Sequence, residues 1–481
     1  MNTIIRTMKV MWRTAAMCVV LAACAVGPDY VRPAAPVPEA YKEMGDWKVA
    51  QPGDTTIRGK WWSIFNDPQL NDLEEQVNIS NQTVLAAEAQ YRQAIALVQA
   101  ARANYFPTVA AGVSFTRALR SSTPTQSSGT GGIPTSDYFL PVNVFWEADV
   151  WGRIRRTVEA SRSSAQASAA DLESVRLSVQ AALAQAYFQL RTVDAQIHLL
   201  NATAAAYKKA LELTQNRYDS GVAGKTDVLQ AKTQLKSTQS QLIDLGIQRA
   251  QLEHAIAVLI GKPASVFSLA AMPVAATPPA VPVGVPSELL ERRPDIAASE
   301  RRVAAANAQI GVAKAAFFPR ITLSASGGYE SIDSPTWLTW PSHFWSLGPA
   351  VAQTLFAGGS IRALSDQARA AYDGAVATYR QTVLAGFQEV EDNLAASRIL
   401  EEEAQVQGTA VKSAQQSLAL TMNQYKAGTV GYLNVIIAQT TALTNERAAA
   451  DIAGRRMAAA VLLIKALGGG WEAASSSQSA P

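Results

Sequence analysis

Arg217-Tyr218-Asp219-Ser220-Gly221-Val222-Ala223-Gly224-Lys225-Thr226-Asp227-Val228-Leu229-Gln230-Ala231 returns as Gln424-Tyr425-Lys426-Ala427-Gly428-Thr429-Val430-Gly431-Tyr432-Leu433-Asn434-Val435-Ile436-Ile437-Ala438, 207 residues later. Tyr, both Gly, Asp/Asn, Val and Ala keep register. A second pair, Tyr105-Phe106-Pro107 and Phe317-Phe318-Pro319, agrees at an offset of 212. A repeat half a chain long signals duplication, with each half supplying a similar unit.

Working outward, each copy of the stretch interrupts a long helical pattern. No Pro occurs between Gly152 and Gly261. Ala186, Leu190, Val193, Ile197, Leu200, Ala204, Tyr207 and Leu211 alternate spacings of four and three, a coiled-coil seam. About 63 residues at 1.5 Å each give a helix of about 95 Å. Gly221 and Gly224 supply the turn and C-cap, and a second helix returns from Lys225 to Ile260. The other half repeats this: a helix over Ile361 to Lys426, a turn over Gly428 to Gly431, and a helix over Tyr432 to Leu467.

Upstream, Asp67 is an N-cap with Pro68 at the first helical position, and the helix so started runs to about Asn104, before Pro107. Residues 108–116 then change period. Val109, Ala111, Val113 and Phe115 alternate with small and polar residues, as expected of a strand with one apolar face. A second strand, 138–150, places Leu140, Val142, Val144 and Trp146 on one face. Ile321, Leu323 and Ala325 repeat the alternation in the second half, and a fourth strand lies near 343–356. Four strands cannot close a membrane barrel, which starts at about eight. An open sheet would leave unpaired edges in lipid. The strands are therefore soluble hairpins or parts of a barrel closed by oligomerisation. Their small inward residues favour the second.

The expected organisation is a signal peptide over 1–23, an arm over 24–65 and a first repeat over 66–262. That repeat holds a β-hairpin at 107–150 and a helical hairpin at 153–260. A Pro-rich linker at 263–287 precedes a second repeat over 288–468, with a β-hairpin at 319–356 and a helical hairpin at 360–467. A disordered tail occupies 469–481. In the leader, Arg6, Lys9 and Arg13 precede a short apolar run, and Leu21-Ala22-Ala23-Cys24 reads as a bacterial lipobox. Cys24 is the expected lipidation site, and Ala25 after it suits sorting to the outer membrane.

The chain has 481 residues, 48% hydrophobic and only 7% aromatic, a mix that suits long helices packed through small side chains. Its formal charge of +3 falls to zero once the three leader cations are removed, which argues against nucleic acid. Cys18 and Cys24 are its only cysteines. Neither a disulfide nor a thiolate metal site is expected in the mature chain. His198, His254 and His343 are not at metal-ligand spacing. Met44, Met272, Met422 and Met457 are too scattered for a soft-metal path. With no phosphate loop, nucleophile motif or paired carboxylates, no enzyme, metal or cofactor is expected.

Cys24-Ala25-Val26-Gly27-Pro28-Asp29-Tyr30-Val31-Arg32-Pro33, Trp61-Trp62 with Phe65 and Asp67, and Phe145-Trp146-Glu147 with Asp149-Val150-Trp151-Gly152 resemble one family. So do Arg292-Arg293-Pro294-Asp295-Ile296, Ala315-Ala316-Phe317-Phe318-Pro319 and Phe387-Gln388-Glu389-Val390-Glu391-Asp392. That family is the outer-membrane factors of tripartite efflux systems, the TolC superfamily, in its lipoprotein (OprM/NodT-type) branch. The resemblance implies a mainly α, internally duplicated protomer whose coiled-coil helical hairpins form an α-barrel in the periplasm. It also implies a homotrimer whose four strands per protomer close a twelve-stranded membrane β-barrel. A belt would form from the segments near 25–65 and 263–290.

The implied activity is passive export of drugs or other small toxic compounds. The implied partners are a periplasmic adaptor, an inner-membrane pump of RND type and outer-membrane lipid. The helical tips would close a periplasmic aperture. Thr226 and Asp227 match first-repeat aperture positions, and Tyr425 matches a second-repeat tyrosine. Asn434 and Ile437 stand where Asp is frequent, so closure is expected to lean on Leu433 and Ile437, with Asp227 the remaining acid. Asp227 as a plain helix cap is the bland alternative. Two readings without a channel are a periplasmic adaptor, which would normally have a single hairpin, and a coiled-coil scaffold.

Overall fold

The computed structural model describes residues 25–38, 40–44, 59–119, 133–272, 278–279, 281 and 292–469. The expected signal peptide, Cys24 and the tail beyond Gly469 lie outside them, as does about half of the Pro-rich linker.

The elements in chain order are α1 (Pro68–Ser80), α2 (Gln82–Ala103), β1 (Thr108–Ala111), β2 (Ser114–Leu119), β3 (Pro134–Ala148), α3 (Arg153–Asp219) and α4 (Lys225–Leu259). The second half gives α5 (Pro294–Ala315), β4 (Arg320–Ser331), β5 (His343–Ala352), α6 (Ser360–Lys426) and α7 (Tyr432–Ala466). The duplication is kept in the lengths of three helix pairs. Both long helices have 67 residues, both return helices 35, and α2 and α5 each have 22.

All four helices of the two hairpins end alike. At the tip of the first, Val222 N–H donates to Arg217 O and Gly221 N–H to Tyr218 O; at the second, Thr429 donates to Gln424 O and Gly428 to Tyr425 O. The return helices close the same way at Gly261 and Gly468. This is the Schellman arrangement, which needs a positive φ at the glycine. The angles are +74° at Gly221, +78° at Gly428, +69° at Gly261 and +92° at Gly468.

Two compact units are present, and each repeat contributes to both. The first unit draws on Met1–Ala34, Tyr91–Ser168 and Ser299–Tyr379; the second on Ala35–Gln90, Ala169–Ala298 and Arg380–Pro481.

The first unit holds one antiparallel sheet in the order β1/β2, β3, β4, β5. β1 and β2 share a single register against β3 and are one strand interrupted at Gly112-Val113. The expected strand 108–116 therefore reaches Leu119 but is broken. The cause is Pro141 in the facing strand: it accepts from Gly112 N–H at 3.0 Å and has no N–H to return. β3 starts at Pro134 and stops at Ala148, and β5 stops at Ala352, short of the expected 150 and 356.

Alternation makes the sheet two-faced. One face carries rows such as Val109–Val144–Ala325–Leu347 and Ala111–Val142–Gly327–Trp345. The other carries Ala110–Asn143–Ser326–Ser346, with Ser326 donating to Asn143 at 2.7 Å. The apolar face is open: Trp345 is 74% and Val351 68% exposed.

β3 is tied to the start of α3. Asp149 accepts the N–H groups of Ile154 and Arg155 at 2.8 and 2.7 Å, and Arg153 forks onto Glu147 at 2.8 and 3.0 Å. The arm after residue 24 is pinned to the same unit. Val26 N–H donates to Trp151 O, Arg156 reaches Asp29 at 2.8 Å, and Tyr30 donates to Glu300.

In the second unit α1 begins as its sequence implies. Asp67 accepts from Gln69 and Leu70 N–H at 2.9 and 3.1 Å, and Tyr187 donates to Asp67 at 2.6 Å. Burial, and then this bond to a carboxylate, push the Tyr187 hydroxyl up to about 12. The single helix expected from Pro68 to Asn104 is broken at Asn81. The Asn81 side chain accepts Thr83 and Val84 N–H and donates to Leu259 O at 2.7 Å. It thus starts α2 and finishes α4 together. The second copy repeats the joint with Arg293, which donates to Ala466 O at 3.2 Å and to Glu389 at 2.7 Å.

The joint explains why two of the four turn glycines are irreplaceable for more than their φ. A Cβ on Gly261 would run into the Ser80 carbonyl and one on Gly468 into the Arg292 carbonyl, whereas Gly221 has open space. Gly221→Ala should cost about 1–2 kcal/mol, the left-handed strain alone. Gly468→Ala should cost about 1–3 kcal/mol more through overpacking. Denaturant midpoints of the two variants check the order.

Glu74, fully buried on α1, has no hydrogen-bond partner on either oxygen, and burial holds its carboxyl well above the usual range. Its stability contribution is full below the unfolded value of 4.5 and falls as pH rises toward the folded one. Glu74→Gln should therefore leave the unfolding midpoint nearly unchanged at acid pH and raise it at alkaline pH. Thermal melts across that range test the sign.

Candidate functional site

The two hairpin tips of the chain meet in the second unit. Tyr425, Tyr432 and Val435 are buried there against Ala210 and Ala231, with Leu211, Leu213, Met422, Val430 and Ile436 packed around them. The tyrosine rings lie 5.3 Å apart. The Tyr425 hydroxyl is bonded to the other tip, 3.3 Å from Thr214 Oγ1.

Arg217 completes the clasp. Its guanidinium donates to Tyr425 O at 3.0 Å and Lys426 O at 3.4 Å, and lies 4.8 Å from the Tyr425 ring centre. These are the last carbonyls of α6, where the helix dipole favours a cation. One side chain of the first tip therefore caps the helix of the second. The first residue of the repeat carries this difference, Arg217 against Gln424.

Asp227 is not an N-cap. Gly224 holds that position without a side-chain bond, and Asp227 sits in the first turn, its own N–H donating to Gly224 O at 3.1 Å. There the carboxylate is favoured by the helix N-terminus. It lies close enough to Tyr432 to help raise that hydroxyl, which burial chiefly pushes up to about 12. Thr226 is exposed and Asp227 half-buried. Gly224 and Gly431 begin the return helices with extended backbone. Leu433, Asn434 and Ile437 point outward from the clasp, with Leu433 and Ile437 both 57% exposed. Asn434 and Ile437 also line an open groove of about 390 Å³ between α6 and α7. The geometry thus puts Tyr425 inside the clasp and the other five candidates around it.

Two apolar strand pairs, two equal helical hairpins and a shared tip define a duplicated channel architecture. Residues 73–262 and 285–469 match the family model described as outer membrane efflux protein, one segment per repeat. The chain is 32% identical to the toluene efflux pump outer membrane protein TtgF of Pseudomonas putida, over 98% of each chain. It is 30% identical to the pyoverdine export outer membrane protein OpmQ of Pseudomonas aeruginosa, over 95% of this chain and 96% of that one. Among solved structures, the outer-membrane channel OprN superposes with a TM-score of 0.86 at 31% identity, covering 93% of this chain and all of that one. VceC of Vibrio cholerae gives 0.80 at 29% identity, covering 86% and 99%.

The chain belongs to the outer membrane efflux protein family. It is an outer-membrane efflux channel, an exit duct rather than an adaptor. The adaptor and scaffold readings fall to these likenesses, which run through both hairpins and both strand pairs.

Proposed function

We propose that three copies assemble into one passive duct that receives small toxic compounds from an inner-membrane pump through a periplasmic adaptor. The observation that carries this reading is the sheet of the first unit: one face is apolar and exposed, the other mixes Asn143, Ser324, Ser326 and Ser346 with Phe139 and Phe145, and both edges are unpaired among the described residues. An open edge in hydrocarbon leaves backbone groups unpaired at several kcal/mol each. Pairing the β1/β2 edge of one copy with the β5 edge of the next removes every edge, and three copies of four strands give twelve, well above the minimum of about eight. The pump is of RND type by family resemblance. Toluene and pyoverdine are cargoes named for relatives, and drugs and solvents are the proposed cargo class here.

Cys24 is the proposed lipid anchor. The support is positional: a Cβ on Gly152 would lie 3.1 Å from the Ala25 Cα, so the arm meets the unit where β3 passes into α3. Trp151 and Phe318 stack beside it with centres 4.9 Å apart. Aromatic rings of this kind sit at membrane interfaces. More than one acyl chain there gives stable anchoring.

The purified protein should form discrete conductance steps in planar bilayers and run as a trimer. A monomer without conductance would overturn the duct. Asp227→Ala should raise the conductance if its carboxylate narrows the aperture, and an unchanged conductance removes it from that role.

A further inference from the structure

Both halves of the chain place three cations at equal positions. Arg102 and Lys314 are each the second-last residue of a 22-residue helix, α2 and α5. Arg155 and Arg162 are the third and tenth residues of α3, and Arg362 and Arg369 the third and tenth of α6. All six lie inside helices and in the first unit.

They gather at one end of the sheet. α2 and α5 run into β1 and β4, and α3 and α6 leave β3 and β5. Register brings those four strand ends together: Thr108 pairs with Phe145, Ala148 with Ile321 and Arg320 with Ala352. The third and tenth positions of a helix share one face, about 10 Å apart along the axis. Side chains on α3 and α6 lean toward their N-termini, and so toward the sheet. In the first copy the gathering is direct. Partial burial, and then Asp149, raise the Tyr105 hydroxyl, while Arg155, Arg162 and Arg102 pull it down. Three guanidinium groups therefore surround one ring.

The carboxylates nearby are engaged elsewhere. Glu147 is held by Arg153, Glu159 by Arg156, and Asp149 by the first N–H groups of α3. Asp366 and Asp373 stand one turn beyond Arg362 and Arg369. Even so, Arg102, Arg162, Lys314, Arg362 and Arg369 make no ion pair among the described residues. Five of the six cations are exposed, and Lys314 is half-buried.

An aromatic rim adjoins them. Tyr105, Phe106, Phe317 and Phe318 are exposed between the helix ends and the open apolar face of the sheet. Rings so placed mark the level where hydrocarbon meets headgroups. Arg102 and Lys314 lie one helical turn from that rim, and a headgroup layer is about 5–7 Å deep in each leaflet.

We propose that these six side chains form a docking surface for anionic phospholipid headgroups, in the leaflet on the helical side of the sheet. The inference rests on the membrane barrel proposed above. A guanidinium is a planar fork that fits two phosphate oxygens at once, and its charge is permanent. The trio occurs in each repeat, so the surface recurs around the barrel. A lipid with net negative charge, such as phosphatidylglycerol, is favoured over zwitterionic phosphatidylcholine.

Titration of the purified full-length protein in detergent with short-chain forms of these two lipids tests this, with bound lipid counted by native mass spectrometry. Phosphatidylglycerol should bind at least about tenfold more tightly at low salt, and high salt should erase the preference. In the Arg102→Gln/Arg162→Gln/Lys314→Gln/Arg369→Gln variant the preference should fall to about twofold or less, with phosphatidylcholine binding unchanged. Bilayer conductance shows whether the variant still forms channels, and the salt series on the wild type needs no variant. Equal binding of the two lipids by a conducting trimer overturns the proposal and leaves the duct standing. So does a preference that survives the four substitutions, the result expected if the cations hold an acidic protein instead. A protein that neither trimerises nor conducts removes the barrel, and this surface with it.

Discussion

Asp194→Ala should be among the most destabilising single substitutions in the second unit. Among the described residues Asp194 alone bonds both the buried Arg191, at 3.0 Å, and the half-buried Arg249, at 2.8 Å. Removing one partner of a buried ion pair leaves uncompensated charge and costs about 3–5 kcal/mol. The backbone over 269–272 loses its acceptor for Met272 N–H at the same time. Arg191→Met would remove charge and donor together, and part of its cost should be relieved by the lost desolvation penalty. Glu401→Ala is the control. Its carboxylate is half-exposed, so the change should cost about 1 kcal/mol or less. Denaturant unfolding of the three variants ranks them. Limited proteolysis at 263–272 should accelerate in Asp194→Ala alone. Equal costs at 194 and 401 would contradict the burial argument.

The helical hairpins were legible because their signals are local. A Pro-free stretch, a seam at alternating four and three, and paired glycines place each end to within a residue or two. The sheet was legible in its faces but not in its limits. Alternation gave the apolar rows, but the break at Gly112 depends on Pro141, which pairs with it only in the folded sheet. The break at Asn81 was hidden for the same reason. Asn81 tolerates the end of α1 because Leu259, 178 residues away, uses its amide.

The charged triad was illegible because Arg191 and Asp194, three apart on a helix, read as an ordinary surface pair. At the tips, comparing the copies singles out Asp227 against Asn434. The contact between the two tips within one copy is made by another pair. Arg217 against Gln424 is a visible difference in the same alignment, but nothing local says that a guanidinium will reach the carbonyls of the other helix.

Arg217→Ala should loosen the tips and bias the duct toward an open periplasmic end. The substitution removes two hydrogen bonds to the end of α6 and a guanidinium stacked on Tyr425. Bonds to a charged donor are worth about 1.5–3 kcal/mol net. A shift of 1.4 kcal/mol is tenfold in an equilibrium. The closed-to-open ratio should therefore fall by roughly ten- to a hundredfold. The tips should stay folded, because Tyr425, Tyr432 and Val435 remain packed against Ala210 and Ala231. Planar-bilayer recordings would show longer or larger openings, and cells would become sensitive to antibiotics too large for the closed aperture.

Tyr425→Phe separates the parts. It deletes only the contact with Thr214 and keeps the ring and the carbonyl that Arg217 uses. Its effect should be smaller, and in the Arg217→Ala/Tyr425→Phe pair the two effects should nearly add. Tyr425→Ala removes the ring from under the guanidinium, so its effect and that of Arg217→Ala should overlap. If Arg217→Ala leaves conductance unchanged while the tips remain folded, the clasp holds the hairpins of one copy together without governing the aperture. Closure would then rest on the residues that face away from it, Leu433, Asn434 and Ile437.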